Sequence, residues 1–402
     1  MSVNYKRTWK ACYWGAAIQA ISINVVPLFF VTLQTQFAVS FEKIGRLVLI
    51  NFITQLLVDF VSLYVVDRIG YRRCFIAAHL SMAVGFVLFG TLPLIMPDAY
   101  LGMVLATVVY SIGSGMLEVI ISPMADALPS EKKASALTMV HAFYPLGQVA
   151  SIAVTTVVLG LIGREYWWLV IILWAVVPLS NLVRGLTLHY PTVEAASDHG
   201  GIRGLFRSRV FWIALFTMVC AGAAEQAMAQ WASVFAEQGL GISKVLGDLL
   251  GPCLFALFMG VGRFWYGRSE ERIPLRRLLL GFAALSVVCY VLAVFSPWPM
   301  LALLGCAFCG LSVSLMWPGT LSYTAARMSH GGTALFSCMA LAGDLGCSLG
   351  PWLTGLVSDL AQAGYTGENA AQYGLKAGLL TAVIFPAGMF LLLLLFPKKK
   401  MK

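Results

Sequence analysis

Long apolar runs alternate with short polar turns along the whole chain. The runs lie at about 10–36, 43–66, 74–95, 100–127, 135–162 and 166–188, then at about 208–237, 245–266, 276–296, 299–326, 331–358 and 374–396. Each reaches about 20 residues, the length a helix needs to cross a hydrocarbon core. Apolar positions within a run are continuous rather than alternating, which predicts helices and not strands. A bilayer interior tolerates only helices or closed barrels, so the prediction is an all-α integral membrane protein with twelve transmembrane helices. One polar stretch outlasts the others, at about 189–207, with His189, Pro191, Glu194, Asp198, His199, Gly200 and Gly201. It follows the sixth run and predicts two six-helix bundles, 1–188 and 208–402, joined by a cytoplasmic central loop over 189–207.

Composition agrees with that pattern. Only 11% of residues are charged and 59% are hydrophobic, against about 25% charged in a soluble domain. The net charge is +9, and a basic excess can mark nucleic-acid binding. Its placement points elsewhere. All but five of the 27 Lys and Arg fall on one set of connections or toward the run ends that meet them. They include Lys6, Arg7, Lys10, Arg68, Arg72, Arg73, Lys132 and Lys133, and later Arg203, Arg207, Arg209, Arg268, Arg272, Arg276, Arg277, Arg327 and Lys398 to Lys400. The other side holds Lys43, Arg46, Arg164, Lys244 and Lys376. This positive-inside asymmetry predicts cytoplasmic termini in the cell inner (plasma) membrane, with lipid and no nucleic acid as surroundings. The first run continues for about 25 residues past Lys10, longer than the 7–15 of a signal h-region, so no cleaved leader is expected. Cys306 and Cys309 make a CxxC spacing inside an apolar run with no His beside it, and read as packing residues.

The two halves repeat. Asp67-Arg68-Ile69-Gly70-Tyr71-Arg72-Arg73 follows the second run, and Glu271-Arg272-Ile273-Pro274-Leu275-Arg276-Arg277 follows the eighth. Ser122-Pro123 and Trp317-Pro318 give a second match near the ends of runs four and ten. Similar offsets in the same order indicate duplication. With six runs per half, the halves share one orientation and form a parallel repeat.

These loops resemble the signature of the major facilitator superfamily, G-x-x-x-D-[RK]-x-G-x-[RK]-[RK]. The first copy matches from Asp67 through Arg73, with Leu63 in place of the leading Gly. The second keeps Gly267 but has Glu271 for Asp and Pro274 for the inner Gly. The resemblance covers essentially the whole chain. It implies a transporter working by alternating access, with the solute cavity between the halves. It also implies that Asp67, Arg68, Arg72, Glu271 and Arg272 act in gating. A narrower likeness lies in Gly115-Met116-Leu117-Glu118 before Pro123, then His141-Ala142-Phe143-Tyr144-Pro145-Leu146-Gly147. This is similar to the fucose–galactose–proton symporter branch, whose mid-helix Glu in the fourth span takes part in proton coupling, a role that would fall on Glu118. Ser122 replaces that branch's Asn, and its acid in the first span has no counterpart here.

Three acids interrupt Gly-rich apolar runs, namely Glu118, Glu225 and Asp344. A charge at bilayer mid-depth costs roughly 3 kcal/mol on insertion scales, so such residues usually face a wet cavity. A carboxylic acid there can load and release a proton, or can pair with another helix for structure. Asp59 lies nearer the cytoplasmic end and reads as a packing or inter-helix contact. Gln19, Asn24, Asn51, Gln55, His141, Gln148, Gln226 and Gln230 all fall within runs. Amides donate and accept, which suits sugar hydroxyls and equally suits helix–helix bonding. Tyr144, Trp231 and Trp317 could stack on a sugar face or fill the core. Gly346-x-x-x-Gly350 places small residues where two helices can approach closely.

No Walker loop, metal-ligand spacing or Ser/His/Asp cluster is present, so no cofactor, metal or enzyme activity is expected. The expected function is proton-coupled uptake of a small polar solute such as a sugar, with sodium as the other candidate ion and a monomer as the working unit. Two alternatives stay open: proton-coupled efflux of amphipathic drugs or metabolites, and a non-transporting membrane sensor on the same fold.

Overall fold

A computed structural model describes residues 5–129, 133–190, 205–268, 274–328, 332–365, 367 and 369–396. Eleven helical spans among them are long and apolar enough to cross a membrane by length and composition. In the first unit these are α1 (Lys6–Phe37), α2 (Phe41–Ile69), α3 (Tyr71–Ile95), α4 (Ala99–Ala127), α5 (Lys133–Ile162) and α6 (Arg164–Gly185). In the second they are α7 (Arg209–Gly239), α8 (Lys244–Tyr266), α9 (Leu275–Phe295), α10 (Pro299–Ala325) and α12 (Ala370–Leu395). The twelfth long helix, α11 (Gly332–Ala363), is less apolar because Asp344 and several glycines interrupt it. The twelve-helix expectation therefore holds.

Prolines set the irregularities. A proline lacks the N–H that would bond four residues back, and its ring crowds that carbonyl. In α1 the helix gives way to a 3-10 turn, Val26–Phe29, at Pro27. α6 breaks at Ala175 ahead of Pro178, and α12 at Val383 ahead of Pro386. α8 carries a π segment, Leu249–Cys253, that contains Pro252. α10 breaks after Val313, and Pro318 leaves the Ser314 carbonyl without its helical donor. Helix starts are capped where the sequence supplies an acceptor. Ser40 accepts from Lys43 N–H, Asp98 from Tyr100 and Leu101 N–H, and Ser208 from Phe211 N–H.

The chain divides into two compact units, Met1–Ala195 and Ala196–Lys402. Within the first, α1 packs on α5, α2 on α4, α3 on α4 and α6 on α3; within the second, α7 packs on α11, α8 on α10, α9 on α10 and α12 on α9. Shifting by six helices converts one set of pairs into the other, so the duplication read from two loop motifs extends through each core. The repeat-related arginines also share a role. Arg72, at the start of α3, donates to the Leu186 carbonyl just past α6 (3.0 Å). Arg276, at the start of α9, donates to the Leu393 and Leu394 carbonyls at the end of α12 (3.0–3.1 Å). Both cations satisfy orphan carbonyls at the negative end of a helix dipole.

Two glycines carry specific demands. Gly70 joins α2 to α3 in a single residue at φ 89°, ψ 145°, a region reserved for glycine. Gly70→Ala is expected to cost about 1–3 kcal/mol by backbone strain alone, since no atom lies near the added methyl. A lowered unfolding midpoint in detergent checks this. Gly346 on α11 lies against the Val219 carbonyl of α7, where a Cβ would collide with backbone. Gly346→Val should force the helices apart and cost at least about 1–3 kcal/mol by overpacking, read by the same unfolding measurement.

Candidate functional site

In the first unit three polar groups form. Gln19 on α1 donates through Nε2 to Glu118 Oε2 on α4 (2.9 Å). Both side chains are half-buried. Among the described residues no ion pair holds Glu118, so a neutral amide is what meets this carboxyl. An amide suits both protonation states, because its N–H donates to a carboxylate and its oxygen accepts from a carboxylic O–H.

A second group is fully buried. Ser22 donates to Ser114 (2.9 Å), Ser114 to Gln55 (3.2 Å), Gln55 to Asn51 (3.0 Å), and Ser111 also to Asn51 (2.6 Å). This chain ties α1, α2 and α4 together. Inter-helix hydrogen bonds of this kind average about 0.6 kcal/mol each in a membrane. A third contact joins α5 to α1, where Gln148 Nε2 donates to Asn24 Oδ1 (3.0 Å) and Asn24 donates back to the Ala20 carbonyl (2.8 Å). Tyr144 is half-buried on α5.

In the second unit the amides form a ladder along α7. Gln230 donates to Gln226 (2.9 Å), and Gln226 to Glu225 (3.4 Å). Glu225 is buried and lies 3.7 Å from the Arg263 guanidinium on α8. Arg263 in turn reaches the Ser314 carbonyl (3.4 Å), the one that Pro318 leaves without its helical donor. Trp231 is fully buried, and its indole N–H donates to the Pro351 carbonyl (2.9 Å). Half-buried Trp317 lays its ring against Gly343, next to buried Asp344. Arg68 is exposed at the end of α2. The side chains of Asp67 and His141, and the whole of Glu271 and Arg272, lie outside the described residues.

Three clusters escaped the sequence reading. His79 on α3 is fully buried. Its Nε2 lies 2.9 Å from Asn181 Nδ2 on α6, which also donates to the Ala11 carbonyl (3.1 Å). That carbonyl fixes the amide orientation, so His79 accepts at Nε2 and donates from Nδ1 to the Phe75 carbonyl (2.7 Å). The Glu225–Arg263 pair was missed too, although Arg263 lies inside the eighth predicted run. The third cluster opens α8. Lys244 Nζ lies 2.8 Å from Asp248, with only 6% and 1% of the side chains exposed, and the Ser233 hydroxyl donates to the same carboxylate. From its place at the edge of a run, Lys244 is expected on a connection; the structure buries it.

The family model described as Major Facilitator Superfamily matches residues 12–351. The chain belongs to that superfamily. No curated protein sequence matches it. Among solved structures, a bacterial homolog of the human lysosomal transporter Spinster, inward-facing and occupied, superposes with a TM-score of 0.80 at 16% identity, over 98% of this chain and 97% of that one. The nucleoside transporter NupG gives 0.77 at 11% identity, over 98% and 99%. A variant of the E. coli fucose:proton symporter FucP gives 0.64 at 14% identity, over 99% and 100%. Identities this low establish the shared fold, so the major facilitator architecture expected from the loop motifs stands.

Proposed function

We propose that this major facilitator protein is a secondary active transporter that takes up a small polar solute, such as a sugar, together with protons. It works by alternating access, with bundles 1–188 and 208–402 moving about the loop 189–207. Its termini are cytoplasmic and it resides in the cell inner membrane. The observation that carries the reading is Glu118, a carboxyl on a transmembrane helix whose hydrogen-bond partner is an amide. Glu225 differs, because Arg263 stands beside it as a counter-charge. Glu118 is therefore assigned the proton, and the Glu225–Arg263 pair a polar role in the second unit. The two half-buried groups, Gln19–Glu118 and Tyr144, are the first candidates for solute contact. The fully buried Asn51–Gln55 chain braces α1, α2 and α4.

A thermal-shift screen of the purified protein tests the solute class, using L-fucose, D-galactose, D-xylose, a nucleoside and hydrophobic cations. A ligand at 100 times its dissociation constant adds about 2.7 kcal/mol of stability. Stabilisation by one sugar class supports the reading. Stabilisation by the cations alone would replace uptake with efflux of amphipathic compounds.

A further inference from the structure

One cavity of about 610 Å³ lies wholly within the first unit. It opens where α1 begins and α6 ends. Arg7, Lys10 and Arg184 line it, with Tyr13, Trp14 and Phe143. Among the described residues no acidic side chain lines the cavity and no ion pair neutralises these three cations. Tyr13 and Phe143 stack face to face with centroids 4.8 Å apart and rings tilted by 10°, making a flat apolar wall. The Arg184 guanidinium lies 5.5 Å from the Trp14 ring centroid. Cation–π contact of this kind holds a guanidinium in place while leaving its N–H fork available.

Three like charges around one hollow repel each other unless an anion joins them. Tyr13, Trp14, Phe143 and Leu188 make most of the rest of the lining apolar, with Thr187 beside them, and a free inorganic anion would not use such a wall. The volume falls within the range of about 300–1,000 Å³ typical of small-molecule sites. The cavity also lies at the end of the unit where Arg72 and Arg73 stand. On the positive-inside reading this end meets the cytoplasmic leaflet, and basic pockets between helices there suit anionic headgroups.

The geometry points to a binding site for one anionic phospholipid, its phosphate held by Arg7, Lys10 and Arg184 and its proximal acyl chain laid along Tyr13, Phe143 and Trp14. This site is separate from the Gln19–Glu118 pair and does not depend on the identity of the solute.

The test uses the purified full-length protein in detergent micelles with phosphatidylglycerol or phosphatidylcholine brominated on the acyl chain. The readout is Trp14 quenching, taken as the difference between the protein and its Trp14→Phe variant. Phosphatidylglycerol should quench at a mole fraction at least about tenfold below phosphatidylcholine, one tenfold step being about 1.4 kcal/mol. The double variant Lys10→Gln, Arg184→Gln should abolish that preference. In the unmodified protein, raising the salt to about 0.5 M should also shrink it, because exposed charges are screened. That arm stands even if the double variant fails to fold. Equal quenching by both lipids, or no quenching that depends on Trp14, would overturn the site. Complete displacement of the brominated lipid by millimolar inorganic phosphate would show an anion site without lipid selectivity and would overturn the assignment to phospholipid.

Discussion

Proteoliposomes carrying Glu118→Gln are expected to lose proton-driven solute accumulation while keeping solute exchange across the membrane. A proton crossing a potential of about 100 mV supplies about 2.3 kcal/mol, which corresponds to roughly fiftyfold accumulation at about 1.36 kcal/mol per tenfold. Without the coupled proton the inside-to-outside ratio should fall to about one. Exchange of labelled for unlabelled solute needs no net proton movement, so it should persist. The substitution keeps the side chain's shape, and the new amide can still bond Gln19, which lies 2.9 Å from the carboxyl. Folding and insertion should therefore be unaffected. Accumulation at the full ratio by this variant would remove Glu118 from the coupling role. Loss of exchange as well would show that the carboxyl is needed for solute binding itself and would leave its coupling role unsupported.

The second large effect concerns stability. Asp248→Ala should destabilise the second unit by about 3–5 kcal/mol, the usual cost of leaving one member of a buried ion pair without its partner. Lys244 Nζ is 2.8 Å from Asp248 and both are buried, so the ammonium would be stranded. Replacing both, as Lys244→Met with Asp248→Leu, removes the two desolvation costs together. The double variant should unfold at a higher temperature than Asp248→Ala alone, despite carrying one more change. Equal midpoints for the single and double variants would show that the pair is not coupled. The pair lies in the first turn of α8, and the Ser233 hydroxyl ties its carboxylate to α7, which ends in the π segment Phe235–Gly239. Unfolding in detergent reports the effect directly.

The fold was legible in the chain because bilayer thickness imposes a length that hydropathy reveals. The duplication was legible because Asp67 to Arg73 and Glu271 to Arg277 keep their spacing. Prolines 27, 178, 318 and 386 also mark helix breaks that the structure contains. The pairing of side chains was not legible in the same way. Glu118 stands out as an acid in an apolar helix, but its contact with Gln19 depends on how α1 and α4 are rotated against each other. Hydropathy carries no such information, and the same holds for Glu225 with Arg263 and for His79 with Asn181. Lys244 misled for a different reason. A lysine at the edge of a run reads as a surface topology signal, yet its partner Asp248 is one helical turn away and draws it inward. For Trp231 the sequence leaves sugar stacking and core filling open; the residue is fully buried and its indole bonds the Pro351 carbonyl.

Proton-coupled uptake is tested most directly by following protons and solute together. The unmodified protein in liposomes, given the solute selected by thermal shift and an external pH-sensitive dye, should alkalinise the outside as solute enters, with no imposed gradient. Glu118→Gln should take up solute by exchange without any change in external pH. Solute entry by the unmodified protein with no proton movement, or with protons leaving as solute enters, would contradict the account.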